Sequence, residues 1–266
     1  MGTLTQSNPA AAKLIEEYIE CGFYQELKSL TQEKDCLNKL ICDYLISYEW
    51  KRHEIGNHLV AKFIPKQIYD YDYPGLNEFL YDRGLLQKLT KLTSTNLNKD
   101  RALLEMFAPY SEPPAFFIKP TLNNVGKELV KINPLEDFAL TLTLEEASKR
   151  KRENLLRLKA AKHQYEMLKK ALGTCQQLLA AGKINHKYGS VSRVQKPCVY
   201  QTDNVTDKLL VQKLIQYGKP DMNSVMEYAA KQYFSRSEIE PFRKLTDIKL
   251  SLVILDLDDE AKMMNF

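Results

Sequence analysis

The stretch TLEEASKRKRENLLRLKAAKHQYEMLKKALGTCQQLLAAG, residues 143–182, decides how this chain is read. Thr143 stands at a helix N-cap, and Glu146, three residues on, supplies the returning acceptor of a capping box. Leu158, Tyr165, Leu172 and Leu179 then recur every seven residues, with Ala161, Leu168 and Cys175 at the intervening offset. That is the spacing of a coiled-coil seam. A helix running on to Gly182 would be about 60 Å long at 1.5 Å per residue. The expected partner seam is Leu158, Tyr165, Leu168, Leu172 and Leu179, facing another helical protein or a second copy in a homodimer. Lys151 and Asn154 fall on the extrapolated seam nearer the N-terminus, so that end is expected to leave the partner and enter solvent.

The same stretch is cationic. From Lys149 to Lys196 there are 13 Lys and Arg against Glu153 and Glu166, a formal balance of +11 in a chain of +4, which leaves −7 for the rest. The basic face consists of Lys149, Arg150, Lys151, Arg152, Arg157, Lys159 and Lys162. Such a face suits phosphates, through counterion release, or an acidic protein surface. It can equally be a solvated face paired with the chain's own acids. Lys149–Arg152 also has the composition of a nuclear-import signal.

The flanks read as helical. Leu14, Ile15, Tyr18 and Ile19, then Leu37, Leu40, Ile41, Tyr44 and Leu45, follow three-and-four spacing, which predicts helices over residues 10–32 and 34–63. Further helices are expected over 76–91, 103–107, 205–217 and 222–234. Residues 248–257 form the one candidate strand. Prolines from Pro109 to Pro134 punctuate an irregular stretch. The expected organisation is an N-terminal helical domain (1–107), a linker (108–142), the long helix (143–182), a basic loop (183–204) and a C-terminal helical segment (205–266). The expected fold class is therefore mostly α: N-terminal helical hairpins, one long basic helix with a coiled-coil seam, and a small helical C-terminal part with a single possible strand. Only 10 glycines in the chain agree with a fold poor in tight turns.

No catalytic constellation, cofactor or metal is expected. His53-Glu54-Ile55-Gly56-Asn57-His58 places its histidines five apart, about 140° around a regular helix, so a shared metal of the kind held by histidines four apart would require a bulge or a break at Gly56. Leu255-Asp256-Leu257-Asp258-Asp259 resembles the strand-end aspartates of haloacid-dehalogenase phosphatases. That family builds its fold after this motif, so here a solvated acidic tail is expected. Five scattered cysteines form no C-x-x-C pair and are expected to be reduced thiols. With no secretory signal, and with an apolar run of only eight residues at 250–257 where a membrane helix needs about 20, the chain is expected to be intracellular, cytoplasmic or nuclear, with no membrane partner.

Leu40-Ile41-Cys42-Asp43-Tyr44-Leu45 followed by Trp50, and Leu14-Ile15-Glu16-Glu17-Tyr18-Ile19 followed by Phe23, resemble the Lis-homology module, a helical dimerisation motif of centrosomal, ciliary and microtubule-associated proteins. Glu49 and His53-Glu54 depart from its usual flanks. The resemblance implies self-association through Leu40, Ile41, Tyr44, Leu45 and Trp50, and a cytoskeletal setting. The reading that follows is a non-enzymatic interaction or scaffold protein, with nucleic-acid binding through residues 149–170 and an enzyme of unrecognised family as alternatives.

Overall fold

In a computed structural model, which describes residues 11–97, 100–131 and 142–264, the capping box of the long helix is present in full. The backbone N–H of Thr143 donates to Glu146 Oε2 at 2.8 Å, and the Glu146 N–H donates back to Thr143 Oγ1 at 3.3 Å. In chain order the elements are α1 (Ala11–Glu20), α2 (Phe23–Leu45), β1 (Arg52–Gly56), β2 (Leu59–Tyr71), α3 (Tyr73–Asp82), α4 (Leu86–Leu89), β3 (Thr90–Thr93), α5 (Arg101–Phe107), β4 (Phe116–Leu122), α6 (Asn124–Leu129), α7 (Leu144–Thr174), α8 (Gln176–Ala181), β5 (Lys183–His186), β6 (Gly189–Gln195), β7 (Val199–Tyr200), α9 (Lys208–Tyr217), β8 (Lys219–Pro220), α10 (Met222–Ala230), β9 (Arg243–Asp256) and α11 (Leu257–Met264).

The expected mostly helical class is corrected. The described residues hold nine strands in three antiparallel sheets, ordered β1-β2-β9, β7-β3-β8 and β4-β6-β5, so the fold is mixed α/β. Five of the missed strands, β1, β2, β4, β5 and β6, have a local cause. Residues 52–63 were expected to continue a helix, but Gly56 and Asn57 start a hairpin turn, and Leu59, Ala61 and Phe63 then alternate into the core. The expected basic loop holds the β5–β6 hairpin, with Ile184 opposite Val191. Its turn depends on Gly189, whose φ is 149° and where an added Cβ would lie 1.9 Å from the Thr121 carbonyl oxygen. The expected linker holds β4, whose Pro120 is tolerated because β4 is an edge strand. Residues 132–141 of that linker lie outside the described residues.

The long helix also stops sooner than its heptads suggest. It ends at Thr174, Cys175 is extended, and α8 begins anew. Thr174 Oγ1 donates back to the Ala171 carbonyl at 3.1 Å, a bond that competes with continuing the helix.

The chain divides into two compact units, one of residues Met1–Pro65, Phe117–Val194 and Leu250–Phe266, the other of Lys66–Phe116 and Gln195–Lys249. In the second unit α3, α4, α5, α9 and α10 enclose a core that includes Leu76, Leu80, Leu86, Phe107, Leu214 and Val225. Its buried polar centre is Asn77, which donates to the carbonyls of Ile215 and Gly218 at 2.9 Å and accepts from Thr90 Oγ1 at 2.9 Å.

In the first unit the seam of α7 is filled by the chain itself. Leu158 and Ala161 pack on Leu30 of α2, and Leu168, Leu172 and Cys175 pack with Ile15 and Ile19 of α1. Tyr165 is half-buried against Tyr18 and Tyr24, while Leu179 is exposed. The expected retreat of Lys151 and Asn154 into solvent is corrected, since both are buried, at 1% and 2% exposure. The seam continues through them in polar form. Lys151 Nζ donates to Asn38 Oδ1 at 2.6 Å, and Asn154 Nδ2 donates to the Leu30 carbonyl at 2.9 Å and to Glu33 Oε2 at 2.8 Å.

Burial, reinforced by the nearby Lys34, pushes the Lys151 ammonium down to about 8. A group that binds its proton less well folded than unfolded makes stability rise with pH between its two pKa values, here from about 8 to about 10.4. Below that window the buried charge costs up to about 3 kcal/mol. Lys151→Met is therefore expected to stabilise the protein by about 1–3 kcal/mol at pH 7. Denaturant titrations at pH 7 and pH 10 check this, and the gain should shrink at the higher pH.

Candidate functional site

The turn between β1 and β2 is a two-residue hairpin connection in which Asn57 and His58 both have positive φ, 51° and 61°. Asn suits the first of these positions, but the second strongly prefers glycine, so His58 occupies a strained backbone conformation. Its neighbours over-determine it. Asn57 Nδ2 donates to Ser148 Oγ at 2.7 Å, the Asn57 carbonyl accepts from Arg152 Nη1 at 2.6 Å, and the His58 carbonyl accepts from the Leu257 N–H at 3.0 Å.

Held in this way, the His58 imidazole meets the C-terminal aspartates. Its Nε2 lies 3.4 Å from Asp256 Oδ1 and 3.2 Å from Asp258 Oδ1. Asp256 Oδ1 also accepts the Asp258 N–H at 3.0 Å, and its Oδ2 faces Arg152 Nη2 at 3.8 Å. Thus His58 of the first sequence motif joins Asp256 and Asp258 of the second. His53 does not join them: its Nε2 bonds to the Trp50 carbonyl at 2.7 Å. Two aspartates of the run expected as a solvated acidic tail thus join a mixed imidazole–carboxylate cluster, with Asp258 still 77% exposed.

Glu260 locks α11 beside this cluster. It is buried at 4% exposure, accepts Arg52 Nε at 3.0 Å and Arg52 Nη2 at 2.8 Å, and contacts Lys62. The two cations hold its carboxyl down to about 2.

Beside the cluster runs a groove of about 590 Å³. Leu59, Leu155, Leu156, Leu158, Ile254 and Leu255 line its apolar part, and Lys34, Arg152, Lys159, Lys162 and Lys262 bring cations, with Asp256, Asp258 and Asp259 at the acidic end. Leu156 is 66% exposed there. Lys34 and Lys262 were not singled out from the sequence, because they lie on other helices and join the groove only through packing.

The structure divides the expected basic face. Arg150 pairs with Glu33, and Arg157 Nη2 lies 2.8 Å from Glu26 Oε1. Lys151 is buried, and Arg152 serves the hairpin turn. Lys149, Lys159 and Lys162 are exposed and form no ion pair with a described residue. Of the residues proposed for self-association, Leu40, Ile41 and Leu45 pack with the β1–β2 hairpin and the start of α7, whereas Tyr44 and Trp50 are exposed, Trp50 at 78%. The Tyr44 hydroxyl donates to the Leu142 carbonyl at 2.8 Å.

No protein-family model matches the chain, and no match is found with curated proteins or with solved structures. Among the described residues no helix is long and apolar enough to cross a membrane.

Because the folded-state pKa of Glu260 is depressed, its stabilising contribution is present above the ordinary carboxylate range and is lost as pH falls through about 2. Glu260→Gln should release α11 at neutral pH. Hydrogen exchange of residues 257–264 is expected to quicken by about tenfold or more, with the amides of α7 little changed.

Proposed function

We propose that this protein is a non-enzymatic interaction protein whose α7 groove receives an acidic, amphipathic segment of a partner protein. One observation carries the reading: an apolar strip containing the exposed Leu156 is bordered by Lys159, Lys162 and Lys34. Covering a leucine side chain contributes about 1–2 kcal/mol, and the lysines would select and steer acidic flanks while adding less to affinity. The heptad seam supports the chain's own core, so the reading moves partner binding from the seam to the groove.

A second reading, nucleic-acid binding, is favoured by the exposed Lys149, Lys159, Lys162 and Lys170 along α7, which form no ion pair with a described residue. It differs from the first in needing no apolar contact, because the phosphate backbone is held by charge.

Affinity capture with the full chain, scored for both protein and nucleic-acid content, separates the two readings. Partner docking predicts that Leu156→Asp lowers the captured protein at least about fivefold, since a charge would be buried on the strip. Capture that withstands Leu156→Asp would overturn it. Nucleic-acid binding predicts retention in Leu156→Asp, loss in Lys159→Glu/Lys162→Glu, and a fall of about tenfold or more between about 50 and 200 mM salt.

A further inference from the structure

The imidazole–carboxylate cluster is built from donors that the docking reading does not use. His58 Nε2, Asp256 Oδ1 and Asp258 Oδ1 all lie within 4.8 Å of one another, with separations of 3.4 and 3.2 Å from the imidazole nitrogen to the two carboxylate oxygens. Ligands about 2.0–2.2 Å from a common metal ion stand about 2.9–3.5 Å apart in octahedral or tetrahedral geometry. The histidine separations fall in that range. We propose that His58, Asp256 and Asp258 bind one first-row divalent transition-metal ion, with zinc as the representative ion. This inference stands apart from the groove's partner.

Three features favour a metal over a simple ion pair. The donor set combines one imidazole nitrogen with two carboxylate oxygens, which suits zinc or manganese better than magnesium or calcium, whose sites are built of oxygen alone. The second oxygen of Asp256 faces Arg152 at 3.8 Å, so an outer partner orients the carboxylate while Oδ1 is turned to the imidazole. Asp258 is 77% exposed, which leaves the far side of the site open to water or to an anionic group of a ligand. His58 itself stands at a φ of 61°, where glycine is preferred, so its turn is strained.

That strain supplies the test. His58→Gly removes the ligand and relieves the turn, so metal binding and metal-free stability should move in opposite directions. Asp258→Asn removes a ligand at an exposed position with little effect on the fold. The full chain, stripped with a chelator, is titrated with Zn²⁺ by calorimetry and with Co²⁺ by visible absorption. Wild type should bind one equivalent per chain, resist competition by millimolar Mg²⁺, and gain thermal stability with zinc. His58→Gly should bind at least about tenfold more weakly while melting at a higher temperature than the metal-free wild type. Asp258→Asn should show the same loss of affinity at an unchanged metal-free melting temperature. Absence of saturable binding would overturn the proposal, as would wild-type affinity in either variant or a cobalt spectrum carrying thiolate charge-transfer bands, which would place the ion on cysteine.

Discussion

The antiparallel packing of α2 on α7 is the constraint from which the rest of the first unit follows. Its apolar part, Leu30 against Leu158 and Ala161, would allow the two helices to slide, since leucine and alanine seams accept more than one register. Its polar part does not. Lys151 must reach Asn38, and Asn154 must reach both the Leu30 carbonyl and Glu33. Any slip would leave buried donors unpaired at about 1–3 kcal/mol each, a large part of a domain's whole stability. Lys151 itself lowers stability in the native register, and what it contributes is the choice of that register.

With the register set, the start of α7 is carried to the β1–β2 turn. Ser148 accepts from Asn57, and Arg152, one turn further on, donates to the Asn57 carbonyl. These two contacts hold a turn that His58 would otherwise disfavour. Arg152 thus belongs to the turn and to Asp256 rather than to a free basic face. The same holds for Arg150 and Arg157, whose charges are met by Glu33 and Glu26 of α2. The −7 balance outside residues 149–196 is therefore partly spent on the basic helix itself. Of the expected basic face, what stays outward without an ion pair to a described residue is a lysine set, Lys149, Lys159 and Lys162, smaller than composition alone suggests.

The legible parts of the sequence were those whose signals are local. The Thr143–Glu146 box and the seven-residue recurrence of Leu158, Tyr165 and Leu172 each state a rule about residues within one turn or two, and each is present. The heptads were silent on what fills the seam. An intrachain helix and a partner helix present the same demand, and here α1 and α2 satisfy it. The strands were less legible because they are short or atypical. β4 contains a proline, β7 and β8 have two residues each, and β9 is largely exposed through Leu250, so it lacks the alternation of a half-buried strand. Lys151 and Asn154 misled for the opposite reason, since polar residues at seam positions suggest solvent until their partners on α2 are known.

The candidate metal cluster shows a different kind of illegibility. Neither of its two motifs reads as a site when judged alone: the histidines are misplaced for one helix face, and the aspartates read as a solvated acidic run. Both judgements assume that ligands share one element. In the observed sheet β2 lies between β1 and β9, and antiparallel neighbours bring the beginning of one strand beside the end of the other. His58 immediately precedes the first residue of β2, and Asp256 is the last residue of β9. Their meeting is thus a direct consequence of strand pairing across nearly the whole chain. Spacing rules written for helices count residues along one element, whereas an antiparallel sheet gathers residues from its strand ends. The second kind of site becomes readable only once β2 and β9 are recognised as partners.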